Sequence, residues 1–335
     1  MIKRMESYKN FNSAYYTLVD DVNNRFEYKS APRGYAIKER LCETFTIDNP
    51  LDRLLYIPHR GFSVQYCIAE MLWYLLGNNQ TEWISNYSSF WKNISDDGTT
   101  ANSAYGARIF KKHPLIDFVQ WEYVINELQK DSDSRRAVIH IRHPQDSVDA
   151  KKDMPCTLTL QFFIRDKALH LVASMRSSDL IFGISYDVPA FTLLQELMAQ
   201  QLGVAVGSYM HVSNSLHIYE RHFEMAEKIC REYSTDQHHV RDITDMAMPP
   251  LPKQLPIYEL DEFQFHARNV ETLEELVTIE SDITYSQLDP YWKDWALILL
   301  AHRAKKLGFA SYENDLMNNL HNQCYVVSNT ISKIM

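Results

Sequence analysis

The chain has 335 residues, 45% hydrophobic and 23% charged, which is the balance of a globular protein and excludes a disordered one. A formal charge of −9 argues against a nucleic-acid polymer as partner, leaving room only for a local basic pocket that holds one phosphate. Five scattered cysteines without CxxC or Cys/His spacing exclude a disulfide framework and a zinc site. With no signal-like or membrane-length apolar run, they point to a reducing, cytoplasmic setting away from membranes.

In chain order, residues 9–50 read as a helix, a turn at Ser30-Ala-Pro-Arg-Gly34 and a short strand over Cys42–Ile47. Gln65–Leu76 is an apolar helix closed by Gly77-Asn78-Asn79, with Cys67 as core filler. Glu70 lies inside that helix, where a carboxylate needs a hydrogen-bonding partner. Residues 80–110 alternate aromatic and polar positions, 113–130 predict a helix, and Ala137–Ile141 a short strand. Thr157–Ile164 is the best strand in the chain, and the turn Arg165-Asp-Lys-Ala joins it to Leu169–Met175 as a hairpin. A helix then starts at Pro189 and runs to Leu202-Gly203, followed by a strand over Ser208–Val212 and a helix from near Ser215. The prolines of Met248–Pro256 end the main body. We therefore divide the chain into a catalytic body, 1–256, and an accessory helical layer, 257–335, packed on it. The absence of βαβ regularity and of a phosphate-binding glycine loop predicts an α+β fold with a mixed sheet.

Cys156, in Met154-Pro155-Cys156, stands just before the best strand. A lone cysteine is more often structural than catalytic, and activation of this one needs cationic or donor groups nearby. Arg33, Arg135, Arg136 and Arg176 fall at turns or strand ends. Each alone reads as a solvated surface charge, whereas a convergent set suits a phosphate dianion.

Taken together, these blocks resemble the thymidylate synthase family over roughly residues 10–260. Met-Pro-Cys156-Thr-Leu-Thr-Leu-Gln-Phe-Phe is similar to its nucleophile strand, Arg176-Ser177-Ser178-Asp179-Leu-Ile-Phe-Gly183 to its phosphate and folate segment, and His217-Ile-Tyr219 to its sugar-recognition pair. Ser134-Arg135-Arg136, Ala69-Glu70-Met-Leu-Trp-Tyr-Leu-Leu-Gly77 and Ser103-Ala-Tyr105-Gly106 match as well. The resemblance implies that Cys156 adds to C6 of a pyrimidine nucleoside monophosphate, so that C5 attacks the methylene carbon of 5,10-methylenetetrahydrofolate, a cosubstrate. It implies proton management by Glu70, with Tyr105 near the thiol and Gln161 positioning the nucleotide. Arg33, Arg176 and Ser177 would hold the phosphate, joined by Arg135 and Arg136 from the other subunit of a homodimer. His217 and Tyr219 would bind the sugar, and Trp91, Asp179, Phe182 and Gly183 would line the pterin site. No metal is required.

Asp187 departs from the family pattern, which carries an asparagine at this point. An amide donates to O4 of uracil and accepts from N3–H, whereas cytosine offers an amino donor and an acceptor nitrogen. An aspartate therefore points to cytosine, as in the deoxycytidylate hydroxymethylase branch; the plain alternative is a helix cap beside Pro189. Thr157 replaces the histidine that often follows the catalytic cysteine, and Lys92 and Ile94 replace an acidic residue and a second tryptophan. The end, Ser328–Met335, lacks the family's short apolar closing tail. These changes favour hydroxymethyl transfer, since water then reaches the exocyclic carbon. Retention of Arg136 and Ser177 favours the deoxyribonucleotide over the ribonucleotide. The leading expectation is a deoxycytidylate 5-hydroxymethyltransferase. The alternatives are a 5-methyl-forming synthase (dTMP or 5-methyl-dCMP), a CMP hydroxymethylase, and a non-enzymatic regulatory homologue.

Overall fold

The computed structural model describes residues 6–113, 117–148, 152–235 and 246–334. Strand β1 (Glu6–Tyr8) leads into α1 (Phe11–Asn24), whose first turn is capped by the Asn10 side chain accepting from the Ser13 amide. Strand β2 (Tyr28–Ser30) and a 3-10 turn (Pro32–Gly34) precede β3 (Ile37–Ile47). Ser63 caps α2 (Val64–Leu75), and Gly77 ends it at φ +59°. The aromatic stretch breaks into three short helices, α3 (Thr81–Ser85), α4 (Phe90–Ile94) and α5 (Tyr105–Phe110). Helix α6 (Gln120–Lys130) and β4 (Val138–His140) follow.

The predicted hairpin is β5 (Thr157–Arg165) and β6 (Ala168–Met175). Asp166 and Lys167 take φ values of 51° and 63°, the left-handed pair required by a two-residue hairpin turn. Then come β7 (Ser178–Asp179), α7 (Ile184–Leu202), β8 (Ala205–Tyr219) and α8 (Phe223–Thr235). The C-terminal layer consists of α9 (Ile257–Asn269), α10 (Leu273–Tyr285), α11 (Pro290–Lys306), α12 (Ala310–Asn318) and α13 (Gln323–Ser332).

The strands form one mixed sheet in the order β1-β3-β8-β6-β5-β4, with β2 added to β3 and β7 to β8. Residues of β6 alternate strictly between half-buried and buried, so one face of the sheet is sealed, and α7 packs on β6 and β8. This is the α+β architecture with an added helical layer that the sequence predicts.

Three boundaries differ from expectation. Helix α7 begins at Ile184, five residues before Pro189, so Asp187 lies in its first turn. Proline lacks one donor, and that single loss is outweighed here because almost every residue from Ile184 to Ala199 is buried. Strand β8 continues through Ser215 to Tyr219 instead of giving way to a helix, because Ile37–Leu41 of β3 pair with Ser215–Tyr219. The helix expected over 113–130 starts at Gln120, and residues 114–116 of that prediction lie outside the described residues.

The C-terminal layer shares a core with the body. Trp292 Nε1 donates to the Gln254 carbonyl, Trp83 Nε1 to Asp261, and Ser328 Oγ to the Leu55 carbonyl. Trp295 is fully buried and donates to Tyr325 Oη at 2.8 Å. Trp295→Ala is expected to cost about 3–5 kcal/mol in urea unfolding, with the layer and the sheet melting in one transition. Two separate transitions would show that the layer folds independently.

Candidate active site

Helix α2 is apolar around most of its circumference, which forces Glu70 into the protein at 6% exposure. Tyr66, one turn earlier on the same face, donates to Glu70 Oε1 at 2.8 Å, and Trp91 Nε1 of α4 donates to Tyr66 Oη at 3.0 Å. Burial pushes the Glu70 carboxyl up to about 7, against the downward pull of the Tyr66 hydrogen bond.

Cys156 sits half-buried at the mouth of β5. Arg176, at the end of β6, donates from Nε to the Pro155 carbonyl (2.9 Å) and from Nη2 to the Met154 carbonyl (3.0 Å). Its amide bonds the Cys156 carbonyl. One guanidinium thus fixes the turn that presents the thiol and places positive charge beside it. Burial raises the thiol above its ordinary value; Arg176 and Arg33 oppose that rise, while Asp187 and Asp153 add to it. Tyr105 Oη accepts from the Thr157 amide at 3.3 Å, so the phenol lies against the residue after the cysteine. A Cβ on Gly106 would stand 2.2 Å from the Tyr74 carbonyl oxygen, so only glycine lets α5 approach α2 this closely.

The segment between β7 and α7 brings two more carboxylates to the cleft. Asp179 Oδ1 accepts from the Ile181 amide at 2.9 Å. A Cβ on Gly183 would stand 2.8 Å from the Asp179 carbonyl oxygen and 3.5 Å from Asp187 Oδ2, so the missing side chain lets these groups close up. The Asp187 side chain accepts no hydrogen bond from the described residues. Burial, then Glu70, then Asp179 hold its carboxyl well above the usual carboxylate range. Phe182 is 56% exposed, and the Arg60 guanidinium lies 5.8 Å from its ring. Arg60 itself is buried and donates to the Ile181 carbonyl and to Ser185 Oγ. The ring meets His222 edge-on at 4.8 Å, and an exposed ring three residues from Asp179 suits a planar heteroaromatic ligand carrying hydrogen-bond donors.

On β8, His217 pairs with Asp179, its carbonyl accepts from the Leu180 amide, and its ring meets Tyr219 edge-on at 4.9 Å. Burial lowers the imidazole, favouring the neutral form. Ser177 lies half-buried between Arg176 and β7, and Arg33 projects from an exposed turn at φ 56°. Cys156, Glu70, Tyr105, Arg176, Asp179, Asp187 and His217 therefore converge. The Gln161 side chain turns the other way, its Nε2 donating to the Arg135 carbonyl. Exposed Arg135 and Arg136 precede edge strand β4, whose Val138 pairs with Gln161. At about 3.3 Å per residue, that end of β5 lies on the order of 20 Å from Cys156. Among the described residues, no group of three or more His, Cys, Asp or Glu could hold a metal ion, and no helix is long and apolar enough to cross a membrane.

Sequence reasoning missed Tyr66, Arg60 and Asp153. The i, i+4 spacing of Tyr66 and Glu70 was a usable signal. Arg60 left none, because a buried arginine reads as a surface charge until its acceptors are known. Asp153, which accepts from the Ser103 amide at 2.9 Å, is likewise visible only in three dimensions.

The site can supply a thiol nucleophile, a carboxyl that exchanges protons near neutrality and an anion-binding guanidinium. Glu70 and Asp187 keep protons to higher pH than they do in the unfolded chain. The folded state therefore binds more protons in that window, and stability falls as pH rises through it. Asp187→Asn should lose less stability than the parent chain between about pH 4 and pH 8 in urea titrations. Gly106→Ala should lower stability by about 1–3 kcal/mol and displace Tyr105, seen as altered tyrosine near-UV circular dichroism.

A sequence profile described as thymidylate synthase matches residues 13–269. The chain is 31% identical over 250 residues to a protein named deoxyuridylate hydroxymethyltransferase from Bacillus phage SP01, covering 70% of this chain and 65% of that one. It is 34% identical over 175 residues to a protein of the same name from Pseudomonas phage M6, covering 51% and 49%. The matched region thus spans less than two thirds of the length of either relative. Thermostable thymidylate synthase A from Bacillus subtilis superposes with a TM-score of 0.54 at 22% identity, over 66% of this chain and 84% of that one, which shows a common fold. With the profile extending over most of the chain and across the whole cleft, the chain belongs to the thymidylate synthase family.

Proposed function

We propose that the protein transfers a one-carbon unit from 5,10-methylenetetrahydrofolate to C5 of a pyrimidine deoxynucleoside monophosphate, as a deoxycytidylate 5-hydroxymethyltransferase. The observation that carries the choice of base is the Asp187 carboxyl, which has no hydrogen-bonding partner among the described residues and lies close enough to Cys156 to raise its thiol. As a neutral acid, Asp187 donates from its hydroxyl to N3 of cytosine and accepts from the 4-amino group. The two phage relatives are named for deoxyuridylate, and this favours a second reading, because the same neutral acid turned over donates to O4 of uracil and accepts from N3–H. Ionisation does not separate the two: a carboxylate faces one acceptor, N3 of cytosine or O4 of uracil, and still accepts from one donor, the amino group or N3–H. Product identity is therefore what decides between them.

In this reading the Cys156 sulfur bonds to C6, and the electron pair of the 5,6 double bond moves to C5. C5 then bonds to the methylene carbon of the folate, loss of the C5 proton expels tetrahydrofolate, and water adds to the exocyclic carbon left behind. Glu70 moves protons to and from the ring through the cleft, and the electron pair returned to C5 re-forms the 5,6 double bond and expels the thiolate. Arg176, Arg33 and Ser177 hold the phosphate, and His217 and Tyr219 hold the sugar. Because Arg135 and Arg136 lie at the far end of β5, their part in phosphate binding requires a second copy of the chain, as a homodimer supplies. Trp91, Phe182, Asp179 and Gly183 line the folate side.

Incubation with the folate and each of dCMP, CMP and dUMP, followed by product mass, tests the proposal. The expected result is 5-hydroxymethyl-dCMP without dihydrofolate. Cys156→Ala should lower turnover by about 1,000-fold or more, and Asp187→Asn should move preference toward dUMP by about 100-fold. Turnover of dUMP alone would overturn the cytosine assignment, and dihydrofolate release would indicate a methyl product.

A further inference from the structure

The hydrogen bonds around Glu70 run in one direction. An indole N–H only donates, so Trp91 must donate to Tyr66 Oη at 3.0 Å, and the Tyr66 proton is left for Glu70 Oε1 at 2.8 Å. Glu70 Oε2 accepts nothing from the described residues. We propose that Tyr66 is a positioning residue that makes Glu70 a one-ended acid–base group, with Oε1 held by the Trp91–Tyr66 chain and Oε2 alone exchanging protons with the cleft. When Glu70 accepts a proton from a cleft water, the new O–H bond forms at Oε2 while Oε1 goes on accepting from the phenol. When it returns the proton, the same bond breaks and no other group changes its protonation. The geometry of the transfer is thereby set by a helix–helix contact before any ligand arrives.

The Tyr66 ring is itself held. It meets Tyr186 edge-on at 4.7 Å, Tyr186 is stacked on Phe62 at 5.1 Å, and Tyr186 Oη accepts from the Ser63 amide at 3.1 Å. Tyr186 precedes Asp187, so one aromatic contact links the proton-exchanging carboxyl to the residue facing the base. The titratable groups that act electrostatically with Glu70 are Tyr66, Cys67 and Tyr74 from α2 and Tyr186 and Asp187 from α7. Of these, Tyr66 is the one that donates a hydrogen bond to it.

The role in catalysis rests on the proposed one-carbon transfer, whereas the coupling of Tyr66 to Glu70 does not, and the experiment reads the two separately. Tyr66→Phe keeps the ring contact with Tyr186 and removes the donor. Site-specific 3-fluorotyrosine at position 66 keeps the donor and makes it more acidic. The Glu70 carboxyl is followed by carbon NMR in ¹³C-labelled protein without ligand, with its resonance assigned by Glu70→Gln. The midpoint should rise by about half to one unit in Tyr66→Phe and fall in the fluorotyrosine protein, because a bond to the ionised form has been lost in one and strengthened in the other. The acid limb of the kcat–pH profile should move in the same two directions with little change in nucleotide KM. Equal midpoints in all three proteins would overturn the coupling whatever reaction the enzyme performs. Shifted midpoints with a uniform fall in kcat and an unmoved acid limb would overturn the catalytic role. Shifted midpoints in a protein that turns over no nucleotide would uphold the coupling and refute the proposed reaction.

Discussion

Two carboxyl groups, Glu70 and Asp187, share one poorly solvated cleft, and neither ionises without cost to the other. Most of the local architecture answers to that constraint. Glu70 enters on an apolar helix and is satisfied by a phenol from its own preceding turn. Asp187 enters on the first turn of α7, where the helix N-terminus favours negative charge but burial withholds it. Arg60 lies beneath the same segment, and its cation faces both Phe182 and Tyr186. Its hydrogen bonds go to the Ile181 carbonyl and the Ser185 hydroxyl instead of to the acids. The cleft keeps its protons, and a neutral acid is what a pyrimidine edge can read in two senses.

The thiol obeys the same logic from the opposite side. Burial and nearby acids suppress its ionisation, while Arg176 and Arg33 promote it. Arg176 spends two of its donors on the carbonyls of Met154 and Pro155 and still faces the thiol. One side chain both builds the turn and tunes what the turn carries. Replacing it with lysine would remove the planar fork that makes both bonds at once.

Residues whose role is fixed by near neighbours in sequence were the legible ones. The Arg165–Ala168 turn, the Gly77 stop and Glu70 within an apolar helix all follow from spacing, and the structure contains each of them. What escaped depended on distant partners. Pro189 reads as a helix start in isolation, and the burial that carries α7 past it comes from the whole sheet. The sequence reads as a strand ending at Val212 and a helix from near Ser215, yet β3 pairs with both Ser213 and Ser215. Arg60 looks like a surface charge until Ile181 and Ser185, more than 100 positions away, supply its acceptors. Gln161, expected to help position a nucleotide, lies on β5 beyond Cys156 and donates to the Arg135 carbonyl, a contact that motif order does not reveal.

The contacts of α13 add a consequence for the order of folding. Ser328 Oγ donates to the Leu55 carbonyl, 273 residues earlier, and the His59 amide donates to the Ile334 carbonyl. The loop spanning these two anchors, Leu55 to His59, runs directly into Arg60, which bonds Ile181 and Ser185. That loop cannot acquire either bond until α13 has been synthesised. Until then, the segment that leads into Arg60 lacks two of its tethers. Both are contacts of very long sequence separation, the kind that costs most in loop-closure entropy and forms slowly.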